Sequence, residues 1–225
     1  AWTYYRADMF TPAIKHFDQL VVWADGEAKR TGKASSSMRP ESIQYLAVSF
    51  AEEDWDGDQQ PDGISGIDRA EKHYKGREKE KHVYEVYRRL ADIYFDTTKY
   101  DEAIKVYRII LKRFPYRADN PDIQDRIITA LERQRAFEKA MGERENFSRL
   151  FGKGSEWEKR NKNNPKALKK AREYDEQALI QAAVFHHNAG RELRKKMLVT
   201  QKTDLKLSLA KRAKQEYAIA AKAYA

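Results

Sequence analysis

The sequence predicts an all-α chain, on two observations. Glycine and proline together are 16 of 225 residues, about 7% against the roughly 12% of average usage, so few positions break a helix. Apolar residues also recur every three or four positions over most of the length, the period of a helix that buries one face. The 13 Tyr, 9 Phe and 4 Trp supply apolar surface that a disordered chain lacks.

Composition removes several classes. There is no cysteine, which excludes a disulfide framework, a Cys-ligated metal site and a thiol nucleophile. No run approaches the roughly 18 apolar residues of a membrane span. The formal charge of +9 is uneven: residues 1–75 are net −4, 76–150 net +3 and 151–225 net +10. A basic end of this kind suits nucleic acid, an anionic membrane or an acidic protein face, or it is a solvated Lys-rich helix surface.

The elements follow in order. Tyr4, Phe10, Ala13, Phe17 and Leu20 mark the end of one helix and the whole of the next, as if the chain began partway through a repeat. Residues 40–77 carry Pro40 as a helix opener, then Ile43, Leu46, Ala47 and Phe50, then Ala70 and Tyr74. The clearest unit is 84–117. Leu90, Ala91 and Tyr94 form one apolar face, and Ala103, Tyr107 and Ile110 the facing one. Ala91 and Ala103 are small where two helices must approach.

This unit resembles a tetratricopeptide repeat (TPR), with the large, small, aromatic and proline positions of that 34-residue motif filled by Tyr87, Leu90, Ala91, Tyr94, Tyr100, Ala103, Tyr107 and Pro115. It departs at Thr98, where the family turn has Gly, and at Ile110, where the family has a small residue. Residues 121–153 fit more weakly, with Ile128 at the small position and Arg144 at the aromatic one. In 40–77 the two small residues, Ala47 and Ala70, are separated by an insertion in the turn.

Residues 152–164 read as a polar linker. Pro165 then opens a stripe of Leu168, Ala171, Tyr174, Ala178, Ala182, Phe185, Ala189, Leu193 and Met197, one helix longer than the family's. Residues 204–225 return as its partner, with Leu205, Leu209, Ala213, Tyr217 and Ala220. The organisation expected is therefore TPR-like repeats over 1–151 with an acidic insertion near 52–68, a linker, and a long helix with its partner over 165–225, all part of a longer protein. The resemblance implies a right-handed helical solenoid of about four to five helix pairs.

The insertion holds Asp54, Asp56, Asp58 and Asp62. Carboxylates at alternate positions let a short loop wrap oxygens around a hard cation, so calcium is the cofactor expected, if any. The stretch resembles the D-x-D-G-D start of EF-hand and thrombospondin-type calcium loops. It departs at Gln59, where an EF-hand has Gly, and at Ser65, where it has the closing Glu. The other reading is a solvated acidic loop. His186 and His187 are adjacent on a helix and point about 100° apart, so they do not chelate one ion together. Gly152-Lys153-Gly154-Ser155 lacks the P-loop spacing. No nucleophile–base set emerges, and neither catalysis nor a small-molecule substrate is expected.

By resemblance, the first helix of each repeat lines a groove, here Arg88, Asp92, Phe95 and Asp96, then Asp122, Asp125, Thr129 and Glu132. This acid-leaning set suits a basic or amphipathic segment of a protein partner. The function expected is a non-catalytic scaffold. The likeness to TPR proteins of bacterial cell-envelope and motility assemblies implies a periplasmic or envelope address, with the cytoplasm as the alternative. The second functional reading is nucleic-acid or anionic-membrane binding through the basic last third.

Overall fold

The computed structural model of the chain describes residues 1–33, 36–56 and 58–224. Gly57 of the acidic insertion and Ala225, the last residue of the final predicted helix, lie outside these. The described residues form twelve α-helices and no strand, and the chain divides into two compact units, Ala1–Pro115 and Tyr116–Ala225.

The first unit holds α1 (Trp2–Arg6), α2 (Phe10–Thr31), α3 (Met38–Ala51), α4 (Gly66–His73), α5 (Lys81–Asp96) and α6 (Tyr100–Arg113). Helices α1 and α2 pack together, as do α5 and α6, while α3 packs against α2, α4 and α5. The predicted apolar positions form the core: Ala13, Phe17, Leu46, Ala47, Leu90, Ala91, Ala103, Tyr107 and Ile110 are fully buried. Burying a side chain the size of Leu or Phe stabilises by about 1.5–3 kcal/mol, and alanines between them let the backbones close. Helix α3 begins two residues before Pro40. A proline in the first turn removes only an N–H that has no helical partner anyway.

The 52–65 insertion is tied down at both ends. Ser65 caps α4 by accepting from the Asp68 N–H at 3.1 Å. Gly66 sits so close to the end of α3 that an added Cβ would overlap the Phe50 carbonyl and the Tyr94 hydroxyl.

The second unit holds α7 (Asn120–Arg133), α8 (Phe137–Glu145), α9 (Phe147–Phe151), α10 (Glu156–Arg160), α11 (Pro165–Val199) and α12 (Thr203–Tyr224). Residues 152–164, read from sequence as a linker, contain α10 and are packed. Trp157 is 3% exposed and donates its indole N–H to the Arg117 carbonyl at 2.6 Å. Asn161 donates to the Tyr116 carbonyl at 3.1 Å. These bonds sew the segment to the start of the second unit, so the division of the chain falls at Pro115 instead.

The 35-residue α11 is capped by Asn164, with Pro165 in its first turn. It packs on α7, α8, α9 and α12. Its buried positions are small ones, among them Ala171, Ala178, Ala182, Ala183 and Gly190. At Gly190 an added Cβ would stand 2.9 Å from the Tyr217 ring of α12, so glycine sets how closely the two helices approach.

Three turns share one geometry. Asp8, Thr98 and Arg135 have φ of 54°, 63° and 59°. In each turn the next N–H reaches back five residues: Met9 to the Tyr4 carbonyl (2.9 Å), Lys99 to Tyr94 (2.8 Å) and Ala136 to Leu131 (2.8 Å). This is the Schellman closure of a helix C-terminus, which needs a left-handed residue. Each following helix places a fully buried alanine at the same offset, Ala13, Ala103 and Ala140. The recurrence makes α1–α2, α5–α6 and α7–α8 copies of one helix-turn-helix unit.

Candidate functional site

The acidic insertion brings three of its four predicted ligands together. Carboxylate oxygens of Asp54, Asp56 and Asp58 lie within 4.8 Å of one another. Each also accepts a loop N–H: Gln59 to Asp54 (2.8 Å), Asp58 to Asp56 (3.1 Å) and Gln60 to Asp58 (2.8 Å). Asp62 does not join them. Its Oδ2 accepts from the Trp55 N–H at 3.0 Å and pairs with Arg69 at 2.5 Å. Arg69 is 8% exposed, bonds the Glu52 carbonyl and lies 4.2 Å above the Trp55 ring. A buried guanidinium needs an anion, and Asp62 serves it, so the four-carboxylate set of the sequence reading reduces to three.

The predicted groove residues divide likewise. On α5, Arg88 pairs with Asp92 at 3.2 Å, and Asp92 accepts the hydroxyl of the fully buried Tyr107 at 2.6 Å. Phe95 is 3% exposed and packs edge-on to Tyr100. It is a core residue, a correction to its reading as a groove residue. Asp96 alone of this set is exposed.

On α7, Asp122 accepts from the Tyr174 hydroxyl at 2.8 Å and pairs with Lys170 at 2.5 Å, both on α11. Asp125 lines a cavity of about 20 Å³ with Tyr174, Gln177 and Arg144, room for about one water. Burial, then the neighbouring Asp122, push the Asp125 carboxyl up from its ordinary value. Glu132 pairs with Arg144 at 2.5 Å, and Thr129 is half-buried. Asp122 and Asp125 thus face the chain's own long helix, which covers the face the repeat pattern leaves open.

Sequence reasoning missed a different cluster in the first unit. Asp18 on α2 is 5% exposed. It accepts from Arg77 at 2.7 Å and pairs with His82 at 3.0 Å, and His73 lies at 3.4 Å. Burial works to raise the Asp18 carboxyl, but these bonds outweigh it and hold it well below the usual carboxylate range. Beside the cluster is a cavity of about 700 Å³, whose walls include Val22, Trp23, Asp25, Glu80 and Lys81. Trp23 and Val22 are 58% and 46% exposed. An open cavity with an exposed indole and a charged wall fits an anchor residue of a protein partner. Asp18, His73, Arg77 and His82 span 64 residues of sequence, so no local spacing announces them. Trp23 was the one visible signal, an indole one step off the buried stripe of Phe17, Val21 and Ala24.

The other motifs resolve locally. His186 lies between Glu145 (2.7 Å at Nε2) and Glu216 (2.6 Å at Nδ1). Gly154, with φ of 86°, gives its N–H to Glu158 at 2.7 Å, so a carboxylate takes the place a phosphate would need.

With this geometry in hand, comparison with known proteins gives one match: residues 85–115 fit the family model described as tetratricopeptide repeat. No curated protein and no solved structure matches the chain.

Proposed function

Because the chain carries a tetratricopeptide repeat within an all-α fold of the same kind, we propose that it is a non-catalytic scaffold that docks a protein partner. Repeats of this type suit protein–protein interaction, since helix pairs bury their cores against neighbours and keep long faces free. The observation that carries the reading is the match over 85–115, together with the turn that recurs at Asp8, Thr98 and Arg135.

The partner proposed is an amphipathic segment. An apolar anchor would seat on Trp23 and Val22, and its charged flanks would meet Asp25, Glu80 and Lys81. The interior placement of Phe95 and the engagement of Asp92 favour this cavity over the α5 groove. We further propose a bacterial cell-envelope or motility assembly as the setting, on the likeness of the aromatic-rich repeats and the acidic loop; fractionation of the full-length protein tests that address.

The test of the scaffold is capture by the full-length protein, with bound partners identified by mass spectrometry. Trp23→Ala should abolish capture of the specific partner while the melting temperature stays within about 2 °C, because the side chain is exposed. Asp96→Lys, on the exposed end of the α5 face, should leave it intact. The opposite pattern would move the site to that face, and no specific partner in any form of the protein would defeat the scaffold reading.

A further inference from the structure

Exposed apolar side chains flank the turn of the α11–α12 hairpin. Its seam buries Ala182, Ala183 and Gly190 against Leu209, Ala213 and Ala220. Leu205 continues the α12 stripe by one turn, but beside the turn it is left half exposed. Leu198, Val199, Leu205 and Leu207 are 68%, 79%, 49% and 65% exposed. Four large apolar side chains within ten residues of one turn are unusual for a soluble surface, where such residues are scattered singly.

The tip is collared by positive charge. Residues 191–214 hold nine Lys and Arg against two acids, Glu192 and Asp204. All nine cations are exposed, and Glu192 is taken by Lys195 at 2.7 Å. Lys196, Lys202 and Lys206 lie within about 9 Å of the turn along the helix axes, roughly one screening length at physiological salt. Exposed apolar side chains interspersed with lysines around one turn match a bilayer with anionic headgroups: the cations meet the headgroups and the leucines enter the boundary with the acyl chains. No helix among the described residues is long and apolar enough to cross a membrane, so the contact is interfacial. A nucleic acid would satisfy the lysines but would leave the four apolar side chains without a partner.

We propose that the Leu198–Leu207 tip of the α11–α12 hairpin is a docking surface for an anionic phospholipid bilayer. This surface is separate from the protein-docking cavity of the first unit, and its success or failure leaves that reading untouched.

The test is sedimentation with vesicles of phosphatidylcholine alone and with about 30% phosphatidylserine or phosphatidylglycerol, at about 0.15 M salt. The full chain should bind the anionic vesicles at least about 10-fold more strongly than the neutral ones. Raising the salt to about 0.5 M should weaken binding by a similar factor. The double variant Leu198→Ser with Val199→Ser should lose about 10-fold or more, as two exposed side chains no longer enter the interface. Lys196→Glu with Lys202→Glu and Lys206→Glu should abolish binding. These are solvent-exposed positions, and circular dichroism checks that each variant keeps its helices.

Because the chain lacks cysteine, Val199→Cys labels uniquely with an environment-sensitive dye. A blue shift with anionic vesicles and none with single-stranded DNA is the expected signature. No binding to anionic vesicles overturns the proposal. So does binding indifferent to the serine variant and matched by DNA with no dye shift, which is charge attraction alone.

Discussion

His82 on α5 stands 3.0 Å from the carboxylate of Asp18 on α2, across 64 residues of sequence. With Arg77 and His73 it encloses a nearly buried anion. Removing that anion leaves the Arg77 guanidinium and the two imidazoles without their shared partner. Asp18→Asn should lower unfolding stability at pH 7 by about 3 kcal/mol. The sign with pH follows from a carboxyl whose folded-state value is depressed. Its stabilisation is present above the unfolded value near pH 4 and is lost as pH falls below it. Urea unfolding should therefore show the gap between wild type and Asp18→Asn narrowing by about 1 kcal/mol from pH 7 to pH 3. A gap that is constant over that range would remove Asp18 as its source.

Thr98 holds a left-handed conformation in the turn between α5 and α6. For a β-branched residue that conformation is strained by about 1 kcal/mol. Thr98→Gly should raise the melting temperature by roughly 2–4 °C. Arg135→Gly should act similarly, and Asp8→Gly less, since Asp tolerates this region better than most residues. Thr97→Gly, one residue earlier at φ −90°, should not stabilise. If all four glycine variants lower the melting temperature, the shared-turn description is incorrect.

His186 ties α8, α11 and α12 through Glu145 and Glu216. Burial disfavours its charge, but the bonds from Glu216 and Glu145 outweigh burial and raise its pKa. The raised value means the stabilisation is complete below about pH 6.5 and is lost as pH rises through the folded-state value. Thermal melts from pH 6 to 9 should show stability declining with pH over this window. Glu138, Glu192, Lys196 and Arg212 also border the cavity beside His186, so the comparison must be with His186→Gln, in which that component of the slope disappears. An identical slope in the variant would assign it to other groups.

Asp62 is bound to Arg69, and Asp54, Asp56 and Asp58 already accept loop N–H groups. Calcium takes six to eight oxygens. About 5 mM calcium, compared with chelator, should move the melting temperature by less than about 2 °C. A shift of 5 °C or more with calcium and not with magnesium would make the three carboxylates a cation site despite the loss of Asp62. Arg69→Met, by contrast, should destabilise strongly, because Asp62 and the Glu52 carbonyl both lose a buried donor.

What the sequence determined by itself was local. Helix type, the stripes of buried residues and the repeat at 84–117 follow from period 3.6 and from small residues placed where backbones meet, and both are written into neighbouring positions. Thr98 was legible in the same way, as a departure at a turn position whose backbone demand is fixed by the motif. The tertiary structure alone decided which charges are available. Asp62 and Asp54 look alike in the sequence, but Asp62 pairs with Arg69 of α4 while Asp54 gathers with Asp56 and Asp58. Asp122 reads as a groove residue until α11 brings Tyr174 and Lys170 onto it from about fifty residues away. Leu205 reads as a seam residue, but beside the hairpin's turn it stands half exposed. A side chain's chemistry is set by what the chain folds against it, and ion pairs between distant segments leave no periodic trace for a sequence pattern to carry.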